Sequence, residues 1–193
     1  MPALSQGSNA PVLLVVGDSI SAGYGLSKGQ VWVDLLVKRL ADEGFKHRVV
    51  NASISGDTTA GGRARLPQLL TQHKPAIVII ELGGNDALRG GRLSISRENL
   101  DAMVKAAQGA GAKVMLVGME IPPNYGPAYA REFKEMYAGV AAERKVPLVP
   151  AFFAGFGDDL TLFQPDRIHP TQGAQARLLD NVWPTLAPLL RAK

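Results

Sequence analysis

One serine in this sequence stands where a hydroxyl can be put to chemical use. Val12, Leu13, Leu14, Val15 and Val16 follow one another, and Gly17, Asp18 and Ser19 end the run. Such a run reads as a strand buried on both faces of a parallel sheet. Its break presents the Ser19 hydroxyl at the carboxyl edge, where open α/β folds gather their ligands. Taken alone, Asp18 and Ser19 equally suit a turn cap, since both residue types satisfy free backbone N–H groups. A serine nucleophile needs a base within hydrogen-bond reach and a group that orients the base.

Three histidines are available. His47 precedes a strand in a charged stretch and His73 falls in the last turn of a helix, so both read as surface residues. His169 lies in a loop after the last strand, between Pro165 and Pro170, with Asp166 three positions before it. That spacing lets a carboxylate accept from one ring nitrogen while the other faces outward; it also suits a plain surface turn ahead of a helix. Acyl transfer further requires preorganised donors for an oxyanion. The candidates are the Ser19 N–H, the Gly56 N–H after the second strand, and the Asn85 amide after the third. Gly83, Gly84 and Asn85 alone would read as a turn. Their position at the end of a buried strand gives the amide a second use.

The elements that must position these groups alternate. Strand-like runs begin near Val12, Arg48, Ala76, Lys113 and Val146, with helical periodicity between them, the pattern of a parallel α/β sheet. Ser27 and Gln30 have capping-box spacing ahead of a helix carrying Trp32, Leu35, Leu36 and Leu40 on one face. Further helices are expected from about Ala60 to His73, from Ser96 to Gly109, and through Tyr129, Phe133, Met136, Tyr137 and Val140. The last strand is expected over Val146 to Val149, and a final helix from Thr171, bent or restarted at Pro184. In a doubly wound sheet ordered 2-1-3-4-5, strands two and three flank strand one, so the loops with Gly56 and Asn85 flank the one with Ser19.

Composition narrows the classes. The 193 residues are 46% hydrophobic and 20% charged, as in ordinary globular proteins. The 21 basic and 17 acidic residues leave a net charge of +4 without any Lys/Arg run, so no nucleic-acid partner is expected. No stretch is long and apolar enough to span a membrane. There is no cysteine, which excludes disulfides, thiolate zinc sites and a thiol nucleophile. Met1 to Ala10 are polar and small and do not read as a signal peptide. Residues 1–10 are expected to be a flexible segment before a single domain over 11–193, acting as a monomer.

Gly17-Asp18-Ser19-Ile20, Gly56, Gly83-Gly84-Asn85 and Asp166-x-x-His169 match, in order, the four blocks of the GDSL or SGNH hydrolases, with Ile20 in place of the usual leucine. The longer strings from Asn51 to Thr58 and from Glu81 to Asp86 resemble the bacterial thioesterase–lysophospholipase–arylesterase branch. The resemblance implies a flavodoxin-like three-layer αβα sandwich, no metal or other cofactor, and a periplasmic or secreted setting. It implies Ser19 as nucleophile, His169 as base and then acid, Asp166 as its orienting partner, and Ser19, Gly56 and Asn85 as the oxyanion hole. The implied substrate is an acyl ester or thioester. Its acyl chain would lie between the loop from Ala87 to Gly91, which glycines let move, and the loop from Ile121 to Tyr125, which two prolines stiffen. From the residues alone these are walls or ordinary surface loops. In the branch that the chain resembles, the corresponding loops line the acyl site, so Asp86, Leu88, Ile121, Pro122 and Tyr125 are the expected substrate contacts.

Rival chemistries lack their motifs. There is no G-x-S-x-G elbow, no G-x-G-x-x-G or Walker loop after the first strand, and no H-E-x-x-H. A carbohydrate O-acetylesterase or a non-catalytic lipid-binding module on the same fold remain as alternatives.

Overall fold

Five parallel strands in the order β2-β1-β3-β4-β5 form the only sheet among the described residues, 10–192 of a computed structural model. The expectation for residues 1–10 lies, apart from Ala10, outside them. The central strands are β1 (Val12–Gly17) and β3 (Ile77–Glu81), flanked by β2 (Arg48–Asn51) and β4 (Lys113–Val117), with β5 (Leu148–Val149) at the far edge. Leu13 to Val16 and Val78 to Ile80 are wholly buried, as double-faced burial of aliphatic runs requires. Each such side chain contributes about 1.5–3 kcal/mol relative to exposure.

Helices cover both faces. α2 (Trp32–Asp42) packs against α7 (Gln175–Arg191) on one side; on the other α5 (Leu93–Gly109) lies between α3 (Thr59–His73) and α6 (Pro127–Arg144). Two short helices, α1 (Ser19–Ala22) and α4 (Gly84–Leu88), leave the carboxyl ends of β1 and β3.

Several boundaries depart from the sequence expectation. Ser27 and Gln30 close a turn, in which the Gln30 side chain accepts from the Ser27 N–H at 2.9 Å. The helix begins only at Trp32, where Asp34 takes up the Val31 and Gly29 N–H groups. β5 is two residues long because only Leu148 and Val149 pair with β4; the Val146 N–H instead bonds the Ala141 carbonyl at the end of α6. α5 starts three residues before Ser96. The final helix starts at Gln175, after a 3₁₀ turn over Gln172–Ala174, and runs unbroken through Pro184 and Pro188. Leu178, Val182, Trp183, Leu186 and Leu190 on its buried face offset the two missing N–H bonds.

The register brings the loops together. Gly17 pairs with Glu81 and Val15 with Asn51, so β1 and β3 end side by side. The Ile54 N–H then bonds the Gly17 carbonyl at 3.0 Å, folding the loop after β2 against the start of α1.

Candidate active site

Ser19 is the first residue of α1 and is buried, with its turn fixed by Asp18, whose Oδ1 accepts from the Ile20 N–H at 3.0 Å. Its Oγ lies 2.8 Å from His169 Nε2, and His169 Nδ1 lies 2.7 Å from Asp166 Oδ2. The carboxylate accepts only, so Nδ1 carries the ring proton and Nε2 is left to accept the Ser19 O–H. Burial works to raise the Asp166 pKa, but the N–H groups of His169 and Ile168 and the imidazole more than offset it, lowering the carboxyl to about 2. The loop is closed at its base: Phe163 bridges Pro170, and the Gln164 N–H bonds the His169 carbonyl at 2.8 Å. Hydroxyl, imidazole and carboxylate in line can pass a proton from Ser19 to His169 while Asp166 balances the imidazolium.

Gly56 follows β2 at φ 80°, a left-handed conformation that a side chain would strain. A Cβ there would meet nothing nearer than Arg89 Nη2 at 3.9 Å, so the conformation and not crowding calls for glycine. Among the described residues the Gly56 N–H has no acceptor. Asn85, in α4, donates from Nδ2 to the Asp57 carbonyl at 2.9 Å and to Asp18 Oδ2 at 3.2 Å. The three loops that carry Ser19, Gly56 and Asn85 therefore meet at one edge of the sheet.

His47 and His73 lie away from that edge, and both are half-buried, not the surface residues expected. His47 Nδ1 is buried without a partner, and burial, with Lys113 nearby, lowers its pKa.

The GDSL-like Lipase/Acylhydrolase family model matches residues 15–177, from inside β1 into α7. The chain belongs to that family. It is 58% identical to Esterase TesA of Pseudomonas aeruginosa over 187 residues, 97% of this chain and 93% of the relative. It is 41% identical to Thioesterase 1/protease 1/lysophospholipase L1 of Escherichia coli K12 over 181 residues, 94% of this chain and 86% of that one. Among solved structures, the psychrotrophic esterase EstA from Pseudoalteromonas, inhibited by monoethylphosphonate, superposes with a TM-score of 0.88 at 36% identity, covering 94% of this chain and 99% of that one.

Two expectations for this GDSL-like chain need correction. Asp86 is not free to meet a substrate. One carboxylate oxygen accepts from the Thr59 N–H at 2.9 Å, the other from the Thr59 and Ser96 hydroxyls at 2.6 and 3.1 Å, fastening α4 to α3 and α5. The loop from Ala87 to Gly91 is not left free by its glycines either. The Tyr125 hydroxyl donates to the Leu88 carbonyl at 2.8 Å and the Tyr129 hydroxyl to the Gly91 carbonyl at 2.7 Å, so the two expected walls are joined to each other. Leu88, Ile121 and Tyr125 are half-buried and Pro122 is exposed.

The site also holds residues that spacing did not single out. Beneath Ser19, Glu81 is wholly buried and accepts from the Ser21 hydroxyl at 2.6 Å, while Trp32 Nε1 donates to that same hydroxyl at 3.1 Å. Burial first, and the Asp18 charge second, push the Glu81 carboxyl well above the usual carboxylate range. Burial likewise raises Asp18 to about 6. The charged residue directly after the aliphatic run from Ile77 to Ile80 was the available signal. Arg65 in α3 pairs with Asp57 at 2.8 Å and also donates to the Ala52 carbonyl, with Gly17 O at 3.4 Å.

Proposed function

We propose that the protein hydrolyses single-chain acyl esters and thioesters through an acyl-enzyme on Ser19. The observation that carries this reading is the unbroken chain from Ser19 Oγ through His169 to Asp166, at 2.8 and 2.7 Å. His169 takes the Ser19 proton as Oγ attacks the carbonyl carbon, and Asp166 holds the imidazole in the required tautomer. The N–H groups of Ser19 and Gly56 and the Asn85 amide receive the oxyanion. As the tetrahedral adduct collapses, the C–O or C–S bond breaks and His169 gives its proton to the departing oxygen or sulfur. Water, deprotonated by His169, then releases the acid and regenerates Ser19.

Names of relatives that span nearly the whole chain support this substrate class, being an esterase and a thioesterase/lysophospholipase. The acyl chain is assigned to the surface between Leu88 and the segment from Ile121 to Tyr125, one domain over residues 11–193 acts as a monomer, and the setting is periplasmic or secreted. The family resemblance supports those last assignments. No described helix is long and apolar enough to cross a membrane.

The phosphonate inhibition of EstA supplies the test. A fluorophosphonate should add one adduct mass, mapped to Ser19, and abolish hydrolysis of p-nitrophenyl octanoate. A panel from acetyl to palmitoyl esters, with an acyl-CoA and a lysophospholipid, should then show rates rising with acyl length. An adduct on another residue would overturn the nucleophile. A preference for acetyl over octanoyl would overturn the acyl groove in favour of an O-acetylesterase.

A further inference from the structure

Of the twelve aromatic side chains, Tyr24 is the one exposed, at 53%, and it lies against His169. The ring centroids are 4.4 Å apart with the planes tilted by 37°. An aromatic ring left half in water brings no full burial energy to the core, so the position calls for a local reason. The backbone beneath it is fixed from two sides. The Tyr24 N–H bonds the Ser19 carbonyl at 3.0 Å, and Gln164 Nε2 donates to the Tyr24 carbonyl at 2.8 Å while lying 3.3 Å from the Pro170 carbonyl. The clamp needs Gly25 next door, since a Cβ there would stand 2.2 Å from Gln164 Oε1. Ser19, Tyr24, Leu26, His169 and Pro170 together line a small crevice beside the nucleophile.

The proposed reaction constrains what can occupy that side. When the acyl–oxygen bond breaks, the departing oxygen must sit within about 2.6–3.2 Å of His169 Nε2 to take its proton. Whatever that oxygen carries therefore emerges beside the imidazole, where Tyr24 presents its free ring area. The acyl chain is assigned to the Leu88 and Tyr125 side, so the two halves of the ester meet different surfaces.

We propose that Tyr24 is a specificity residue for the leaving group, its exposed ring stacking on flat aromatic alcohols so that aryl esters are favoured over alkyl esters of the same acid. The proposal rests on Ser19 and His169 having the roles given above. Aromatic pairs contribute enough beyond area burial for a change of about 5-fold in kcat/KM, within a range of about 2- to 12-fold.

The experiment compares phenyl butyrate with cyclohexyl butyrate, which share an acyl group and differ in ring flatness. Tyr24→Ala and Tyr24→Leu should each lower kcat/KM about 5-fold for the phenyl ester and less than 2-fold for the cyclohexyl ester. Tyr24→Phe should keep the wild-type ratio, because the ring and not the hydroxyl does the stacking. An equal fall on both esters would reduce Tyr24 to a brace for His169 and overturn the proposal, as would an unchanged ratio in the leucine variant. Fluorophosphonate labelling of each variant separates the two levels. A Ser19 adduct with no change in ester ratio defeats the Tyr24 assignment alone, whereas no Ser19 adduct in the wild type defeats the reading beneath it.

Discussion

Asn85 Nδ2 lies 3.2 Å from Asp18 Oδ2, so the amide assigned to the oxyanion is held in the resting site by a carboxyl group. A second bond, to the Asp57 carbonyl, fixes its orientation. The hydrogen that meets Asp18, on the longer of the two bonds, is the one to pass to the oxyanion as negative charge develops, while the bond to Asp57 keeps the amide in place. Asn85→Ala should lower kcat by about 10²–10³-fold with KM nearly unchanged. Steady-state kinetics on p-nitrophenyl butyrate checks this, and an effect confined to KM would make Asn85 a substrate-binding residue instead.

His169→Ala should be as damaging as Ser19→Ala, because the two groups form one proton path. Asp166→Asn should cost about 10³–10⁴-fold in kcat by releasing the imidazole from its tautomer. His47→Ala and His73→Ala should retain wild-type kcat/KM, since neither side chain reaches the sheet edge that carries Ser19. Near-wild-type activity in His169→Ala would remove the base from the mechanism.

Tyr125→Phe should remove one of the two ties between the assigned acyl walls, leaving that of Tyr129, without disturbing the nucleophile. The variant loses the bond to the Leu88 carbonyl, worth about 1 kcal/mol. Hydrolysis of acetyl esters should stay within 2-fold of wild type, while the rise in kcat/KM from butyryl to decanoyl should flatten by roughly half. An unaltered chain-length profile would show that the joined walls do not hold the acyl chain.

The buried acids make a prediction about stability. Asp18 is raised from 3.8 to about 6 in the fold. A group with a raised folded pKa stabilises the native state fully below its unfolded value and loses that contribution as pH climbs through the folded value. Asp18 should therefore withdraw stability as pH rises from about 4 through about 6, and Glu81, also raised, continues the loss at higher pH. Glu81→Gln keeps an acceptor for Ser21 and cannot ionise, so its stability relative to wild type should improve as pH rises from 5 to 8. Urea melts at the two pH values measure the difference; a constant offset would mean that Glu81 is as fully ionised in the fold as in the unfolded chain across this window, so that its folded pKa is not raised.

Much of the site could be read in the sequence because its parts sit at strand ends. Continuous aliphatic runs locate β1 and β3, and Ser19 and Asn85 follow them at fixed short distances. Asp166 and His169 make their contact within a single turn, so three-residue spacing was enough. Asp86 was misassigned because its neighbours on the chain point to the site while its partners, Thr59 and Ser96, come from α3 and α5. The contact of Tyr24 with His169 joins loops at opposite ends of the chain, and no local pattern encodes it. The short β5 and the unbroken α7 were set by partners outside their own segments: the Val146 N–H is taken by the end of α6, and the buried face of α7 outweighs the local preference of Pro184.

Arg65 gives the architecture a division of labour. One guanidinium from α3 reaches the last residue of β1, the chain after β2 and Asp57, whose carbonyl in turn holds Asn85. The segments assigned to the acyl chain in the proposed function are secured by other means, through the hydroxyls of Tyr125 and Tyr129. Selection or engineering can therefore rewrite residues 121 to 125, and with them the range of esters accepted, while the bond-breaking apparatus stays in place. Substitutions at Arg65 would do the reverse, slowing every substrate alike from a side chain that meets none of them.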